Sequence, residues 1–463
     1  MNSKSQSETA TRREAIIDGP VGPTLVKLTL PMVYALIAIM GLGLVDSYFI
    51  SYLGTQELAA MGFVVPISFA MTSASLGLGM AISSLTSKLI GAEKMHSAAR
   101  LITDGFYITI TVSIVLSLVL FLNLEAVFML AGADQATMPA IMAYMETWLA
   151  GCAFLMLTQV CSSTFRAIGD TATSAKVSII LTLLNLFLDP LLIFGIGPFP
   201  ELGMQGAALA TVIAVIISCA IALYYLGVKE KLILLELPKY DDFKANLSSL
   251  LGIAIPAVLA NIIVPLTGAV ITAIVASYGA AAVAAFGVGG RIEAVSLIVV
   301  YALSATLPMF IGQNLGADRK KRIASAIKVS FLFVVLFQLF IFLILVVFAV
   351  PISLAFSDEI AVQNSIQTFL YIIPVSYGLS AMIILINVAM NVLGKPKLAL
   401  YINLARLALI YTPLALLGGH LYDLKGIFIG ISIGNLVAFG LAFYLFSFVL
   451  KQHEVHIFSV KNT

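Results

Sequence analysis

Long apolar runs broken by short polar stretches fill the chain from Pro31 almost to its C-terminus. A helix needs roughly 20 apolar residues to cross the hydrocarbon of a bilayer. Runs of that length recur twelve times, at 25–51, 58–85, 99–123, 138–163, 173–196, 204–227, 247–275, 281–312, 323–349, 361–390, 397–420 and 426–450. The pattern predicts an all-α polytopic membrane protein of twelve transmembrane helices.

Composition agrees. Hydrophobic residues make up 61% of the 463 positions and charged residues 10%, with a mean hydropathy of +1.08. A soluble domain carries about 25% charged residues, because its surface faces water. A soluble enzyme is therefore excluded, and the bilayer is the solvent. The net charge of +2 and the lack of a basic cluster interleaved with aromatics give no reason to expect a nucleic-acid partner. Cys152, Cys161 and Cys219 fall inside apolar runs at irregular spacing and read as packing residues. The polar stretch before Pro23 has Arg12 and Arg13 but no apolar core, so it reads as a cytoplasmic tail rather than a signal peptide.

Charge sets the orientation. Even-numbered connections and both tails hold the Lys/Arg clusters, among them Lys88, Lys94 and Arg100; Lys229 and Lys231; Arg319 to Arg322; and Lys395, Lys397 and Arg406. The odd-numbered connections hold Lys425 alone. The positive-inside rule then puts both termini in the cytoplasm.

The two halves align at a constant offset of 225 residues. Pro31 pairs with Pro256, Gly54 with Gly279, Gly62 with Gly287, Gly91-Ala92 with Gly316-Ala317, and Gly169 with Gly394. Six spans per copy insert both copies the same way up, the arrangement of parallel-repeat transporters. The expected organisation is a tail (1–24), an N-lobe (25–228), a cytoplasmic linker (229–246), a C-lobe (247–450) and a C-terminal tail (451–463). Two pseudo-symmetric six-helix bundles with a cavity between them follow, and rocking of the lobes gives alternating access.

Ionisable groups inside hydrocarbon are costly and are functional candidates. Asp46 lies deep in the first span, and its repeat mate is Ile271. Asp189 lies in the fifth span, four residues after Asn185 and so on the same helix face, and Pro190 follows it. Two such carboxylates can share a proton or chelate Na+. Glu293 and Arg291 point to different faces of the eighth span and are poor partners for each other; Arg291 reads as the one basic residue at mid-membrane. Gly77 and Gly79 read as helix packing. The four histidines fall in connections or the tail, so no metal site, and no cofactor, is expected. No nucleotide-binding motif is present, which leaves an ion gradient as the energy source.

With these residues in order, the chain resembles the multidrug and toxic compound extrusion (MATE) family, in its DinF-like branch. The likeness rests on Pro31, on Val-Asp46-Ser-Tyr-Phe-Ile, on the Gly91-Ala92 and Gly316-Ala317 turns, and on Phe-Leu-Asp189-Pro-Leu-Leu-Ile-Phe-Gly. The resemblance implies an antiporter, working as a monomer in the bacterial inner membrane, that exports amphiphilic drugs in exchange for H+ or Na+. It implies an N-lobe ion site of Asp46, Asp189, Asn185, Tyr144 and Thr211. It also implies a bend of the first helix near Pro31 when Asp46 is protonated. Gln159 is a candidate substrate contact. H+ coupling is the expectation, Na+ coupling the close alternative. A flippase for lipid-linked precursors is the other reading, disfavoured by the scarcity of mid-membrane basic residues.

Overall fold

The computed structural model describes residues 3–234, 236 and 239–457; the remaining tail and linker positions lie outside the described residues. The described chain is helical from end to end. The helices are α1 (Ser3–Ile17), α2 (Val21–Ser51), α3 (Thr55–Gly91), α4 (Met95–Leu122), the short α5 (Leu124–Leu130), α6 (Met138–Ala167), α7 (Thr171–Ile193) and α8 (Gly203–Tyr224). After them come α9 (Tyr240–Ala276), α10 (Ala280–Ser296), α11 (Ile298–Gly316), α12 (Lys320–Val347), the short α13 (Ala349–Phe356), α14 (Ile360–Ile372), α15 (Tyr377–Val392), α16 (Pro396–Ala405) and α17 (Thr412–Gln452). Among the described residues eleven helical runs are long and apolar enough to cross a membrane. The last of them, Pro396–Gln452, holds two spans, because Tyr422 and Asp423 leave helical geometry in its middle (Asp423 φ 50°). Dividing it there recovers the twelve.

The 225-residue offset reappears in the backbone. α3 and α4 begin at Thr55 and Met95, and their counterparts α10 and α12 at Ala280 and Lys320. Glu93 (φ 61°) matches Asp318 (φ 55°), and Gly169 (φ 85°) matches Gly394 (φ 75°). These left-handed residues close helices through matching bonds: Lys94 N–H to Leu89 O and Arg319 N–H to Asn314 O, both 2.8 Å. The lipid-facing stripe repeats as well. Leu118 and Leu122 of α4 are exposed, as are their mates Leu343 and Val347 of α12.

The chain divides into two compact units, the first running to Ile255 and the second from Pro256, with Pro20–Val26 grouped in the second. In the first unit, small residues let helices approach closely. Gly206 of α8 packs on the Leu192 carbonyl of α7, and Gly79 of α3 packs on Ser163 of α6, so Gly79 does serve packing. Cys152, Cys161 and Cys219 are buried free thiols.

The polar stretch before Pro20 forms α1, which is tied down by Arg12 to Glu230 (2.9 Å) and by Arg13 to the Gly91 carbonyl (2.8 Å). Asp104, early in α4, is fully buried. It accepts from Arg100 Nε (3.0 Å) and Asn246 Nδ2 (2.7 Å), which satisfies its charge. Outside the spans, the Thr137 hydroxyl and backbone N–H hold the Asp134 carboxyl below its usual range at the start of α6.

Candidate functional site: a carboxyl pair in the first unit

Four helices of the first unit bring the expected residues together. Asp46 comes from the last third of α2, Tyr144 from the second turn of α6, Asn185 and Asp189 from one face of α7, and Thr211 from α8. Asn185 and Asp189 are buried to 1% and 2% exposure, too far from water to be left unpaired. The hydrogen-bond network assigns the Asn185 amide. Its nitrogen donates to Asp46 Oδ1 (3.2 Å) and Asp189 Oδ2 (3.0 Å), and its oxygen accepts from the Thr211 backbone N–H (3.1 Å) and hydroxyl (3.0 Å). Asp46 and Asp189 are thus close neighbours bridged by Asn185, and Tyr144 lies beside both acids near Thr211.

Two buried carboxyls held this close repel each other when both are charged, so the pair can share a proton. Among the described residues no lysine or arginine lies within ion-pair distance of either acid. The remaining charge is therefore compensated by dipoles and by whatever cation or proton the pair takes up.

Pro31 and Gln159 lie apart from this cluster. Pro31 is fifteen residues before Asp46 on α2, and Gln159 fifteen after Tyr144 on α6, each roughly 22 Å along its helix. α2 is a continuous helix across Pro31.

The second unit has an unexpected polar site. Sequence reasoning grouped Arg406 with the cytoplasmic cluster after Lys395 and took Arg291 as the sole mid-membrane base. Arg291 is exposed. Arg406 instead sits ten residues into the run that starts at Pro396, about 15 Å along it. There a π-helical turn, Arg406–Tyr411, widens the helix. Arg406 Nη2 donates to Ser380 Oγ (3.2 Å), the Tyr411 hydroxyl (2.5 Å) and Asn435 Oδ1 (2.9 Å). Arg406, Tyr411 and Asn435 line, with Glu293, a cavity of about 190 Å3 that also includes Ile271, Phe286 and Phe369.

The repeat explains why both sites exist. The mates of Asp46 and Tyr144 are Ile271 and Phe369, both apolar. The mates of Glu293 and Arg406 are Ser68 and Leu181, both uncharged. Ile271 and Phe369 line the second cavity, so it occupies the pseudo-symmetric counterpart of the carboxyl site with the polar positions exchanged. Carrying the offset through every intramembrane polar residue finds this in the sequence.

A family model described as MatE matches residues 31–191 and 256–417, two copies that start 225 residues apart. The chain belongs to the MATE family. An FAD transporter of Shewanella oneidensis is 37% identical over 432 residues, covering 93% of this chain and 95% of that protein. The multidrug export protein MepA of Staphylococcus saprophyticus is 24% identical, covering 92% and 94%. The crystal structure of the Vibrio cholerae MATE transporter VcmN in the bent form is similar at a TM-score of 0.87 and 32% identity, covering 98% of this chain and 99% of that one. The protein is thus a multi-pass membrane transporter of the MATE fold.

Proposed function

We propose that this MATE protein is an H+-coupled antiporter that exports organic solutes across the inner membrane, with both termini in the cytoplasm. The observation that carries the coupling reading is the pair of buried carboxyls bridged by Asn185. Two carboxyls this close do not both stay charged, so one takes up and releases a proton. The Lys/Arg distribution supports the orientation. Protonation removes the need of Asp46 for its polar partners. α2 can then repack at Pro31, where the Lys27 carbonyl lacks its i+4 donor; that VcmN has a bent form supports this step.

The test is export from proteoliposomes driven by a pure pH gradient or a pure Na+ gradient. Asp46→Asn is expected to abolish the pH-driven flux, and undiminished flux would sink the proposal. A Na+ gradient alone is expected to drive nothing.

For the substrate, amphiphilic drugs are one class, in keeping with MepA. A second reading, a flavin dinucleotide, is favoured by the 37% identity to the FAD transporter against 24% to MepA. Parallel flux of FAD and of a lipophilic cationic dye in the same vesicles separates the two.

A further inference from the structure

The cavity of the second unit holds one cation and one anion that do not neutralise each other by contact. Glu293 and Arg406 both line it. Among the described residues Glu293 has no hydrogen bond and no ion pair within 4.0 Å. The Arg406 guanidinium is fixed: Nη2 is held by Ser380, Tyr411 and Asn435, and its carbon lies 4.6 Å over the Tyr411 ring. Asn435 is held in turn by donating to Ser376 Oγ (2.8 Å). Arg406 Nε is buried and unpartnered. A fixed, buried donor without a partner is costly unless a ligand satisfies it.

These groups select a ligand by charge. A free anion is drawn by Arg406 and repelled by Glu293, and a free cation meets the reverse. A neutral group that offers acceptors beside a donor satisfies both. The apolar wall includes Phe286 and Phe369, packed edge to face at 6.2 Å, which suits a planar ring. The cavity, about 190 Å3, is smaller than the ~300–1,000 Å3 of pockets for whole drug-sized ligands. It fits a headgroup and leaves the rest of a larger molecule outside.

We propose that this cavity binds a planar, uncharged heteroaromatic headgroup with an imide edge (acceptor, N–H donor, acceptor), as in the isoalloxazine ring of a flavin. The Arg406 guanidinium donates to an imide oxygen, and Glu293 accepts from the imide N–H. The inference deepens the flavin reading and rests on it.

The test uses the full-length protein in nanodiscs, with lumiflavin, N3-methyl-lumiflavin and ADP as probes of the two halves of FAD, alongside FAD flux in proteoliposomes. Lumiflavin is expected to bind saturably and to be displaced by FAD but not by ADP. N3-methyl-lumiflavin, which lacks the donor for Glu293, is expected to bind about tenfold weaker or worse, the loss of one buried polar partner. Glu293→Ala is expected to erase that preference, and Arg406→Met to weaken both ligands. If a variant fails to fold, the comparison of the two ligands on the unaltered protein still decides. Equal binding of the two, or no lumiflavin binding by a protein that exports FAD, overturns the site and leaves the flavin reading standing. If FAD is neither bound nor exported, the flavin reading falls and takes the site with it.

Discussion

Asn185 carries more of the first site than its neutral charge suggests. It donates to two carboxyls and accepts twice from Thr211, so all of its amide hydrogen-bonding directions are used. Asn185→Leu, of similar volume, leaves Asp46 and Asp189 without their common donor. Losing a hydrogen bond to a charged group costs about 1.5–3 kcal/mol, which is about tenfold or more in an equilibrium constant. The expected outcome is at least a tenfold loss of pH-driven export with normal membrane insertion, read by flux in proteoliposomes beside a folding assay. Retention of full flux would show that the amide only fills space. Asp46 and Asp189 were legible from the cost of burying charge in hydrocarbon, and Asn185 from its helix spacing. Arg406 was not. A base ten residues beyond two lysines continues a cytoplasmic cluster when read along the chain, and only the π-helical turn shows that it faces a cavity.

At the scale of helices, two contrasts test packing and hinge separately. A methyl added at Gly206 lands on the Leu192 carbonyl, which is backbone and cannot turn aside, whereas a methyl at Gly252 of α9 meets nothing within 4 Å. Gly206→Ala is expected to destabilise by about 1–3 kcal/mol through overpacking. Gly252→Ala should be neutral or stabilising by up to about 1 kcal/mol from helix propensity. Thermal unfolding in detergent ranks the two, and the reverse order would refute the close contact of α7 with α8. The second contrast is Pro31→Ala. Alanine restores a donor to the Lys27 carbonyl and stiffens α2. If α2 bends there, turnover falls while solute affinity holds, and unchanged turnover removes Pro31 from the mechanism. Helix boundaries were largely readable, because apolar length and the Gly and Pro breaks set them. The fold of α1 was not, since its stability comes from Arg12 and Arg13 docking on Glu230 and Gly91 rather than from an apolar stripe.

Over the whole molecule, duplication preserved the scaffold and redistributed the chemistry. The backbone matches at 225 residues down to the left-handed closures at Glu93 and Asp318, yet Asp46 of the first unit meets the apolar Ile271 in the second. Ile271→Asp tests how far that asymmetry goes. The new carboxylate would sit in a buried position (Ile271 is 3% exposed) in the cavity that Arg406 and Glu293 line, with Phe369 where the first site has Tyr144. A carboxylate facing the Arg406 cation is compensated by that charge and has no need of a proton. The expected result is no rescue of Asp46→Asn. Rescue would mean that the second unit can host the proton site with a single acid.

The sequence by itself determined the membrane as solvent, the twelve spans, the internal repeat and the acids of the first unit. Each follows from local or strictly periodic information: apolar length, the positive-inside bias, a constant offset, and the cost of charge in hydrocarbon. Tertiary structure alone decided that Asn185 touches Asp46, Asp189 and Thr211 at once, and that Arg406 and Glu293 share a cavity. These depend on the rotation of packed helices about their axes. That rotation is set by contacts such as Gly206 on Leu192 and by a π-helical turn that shifts the register of all that follows it, and neither leaves a period in the chain.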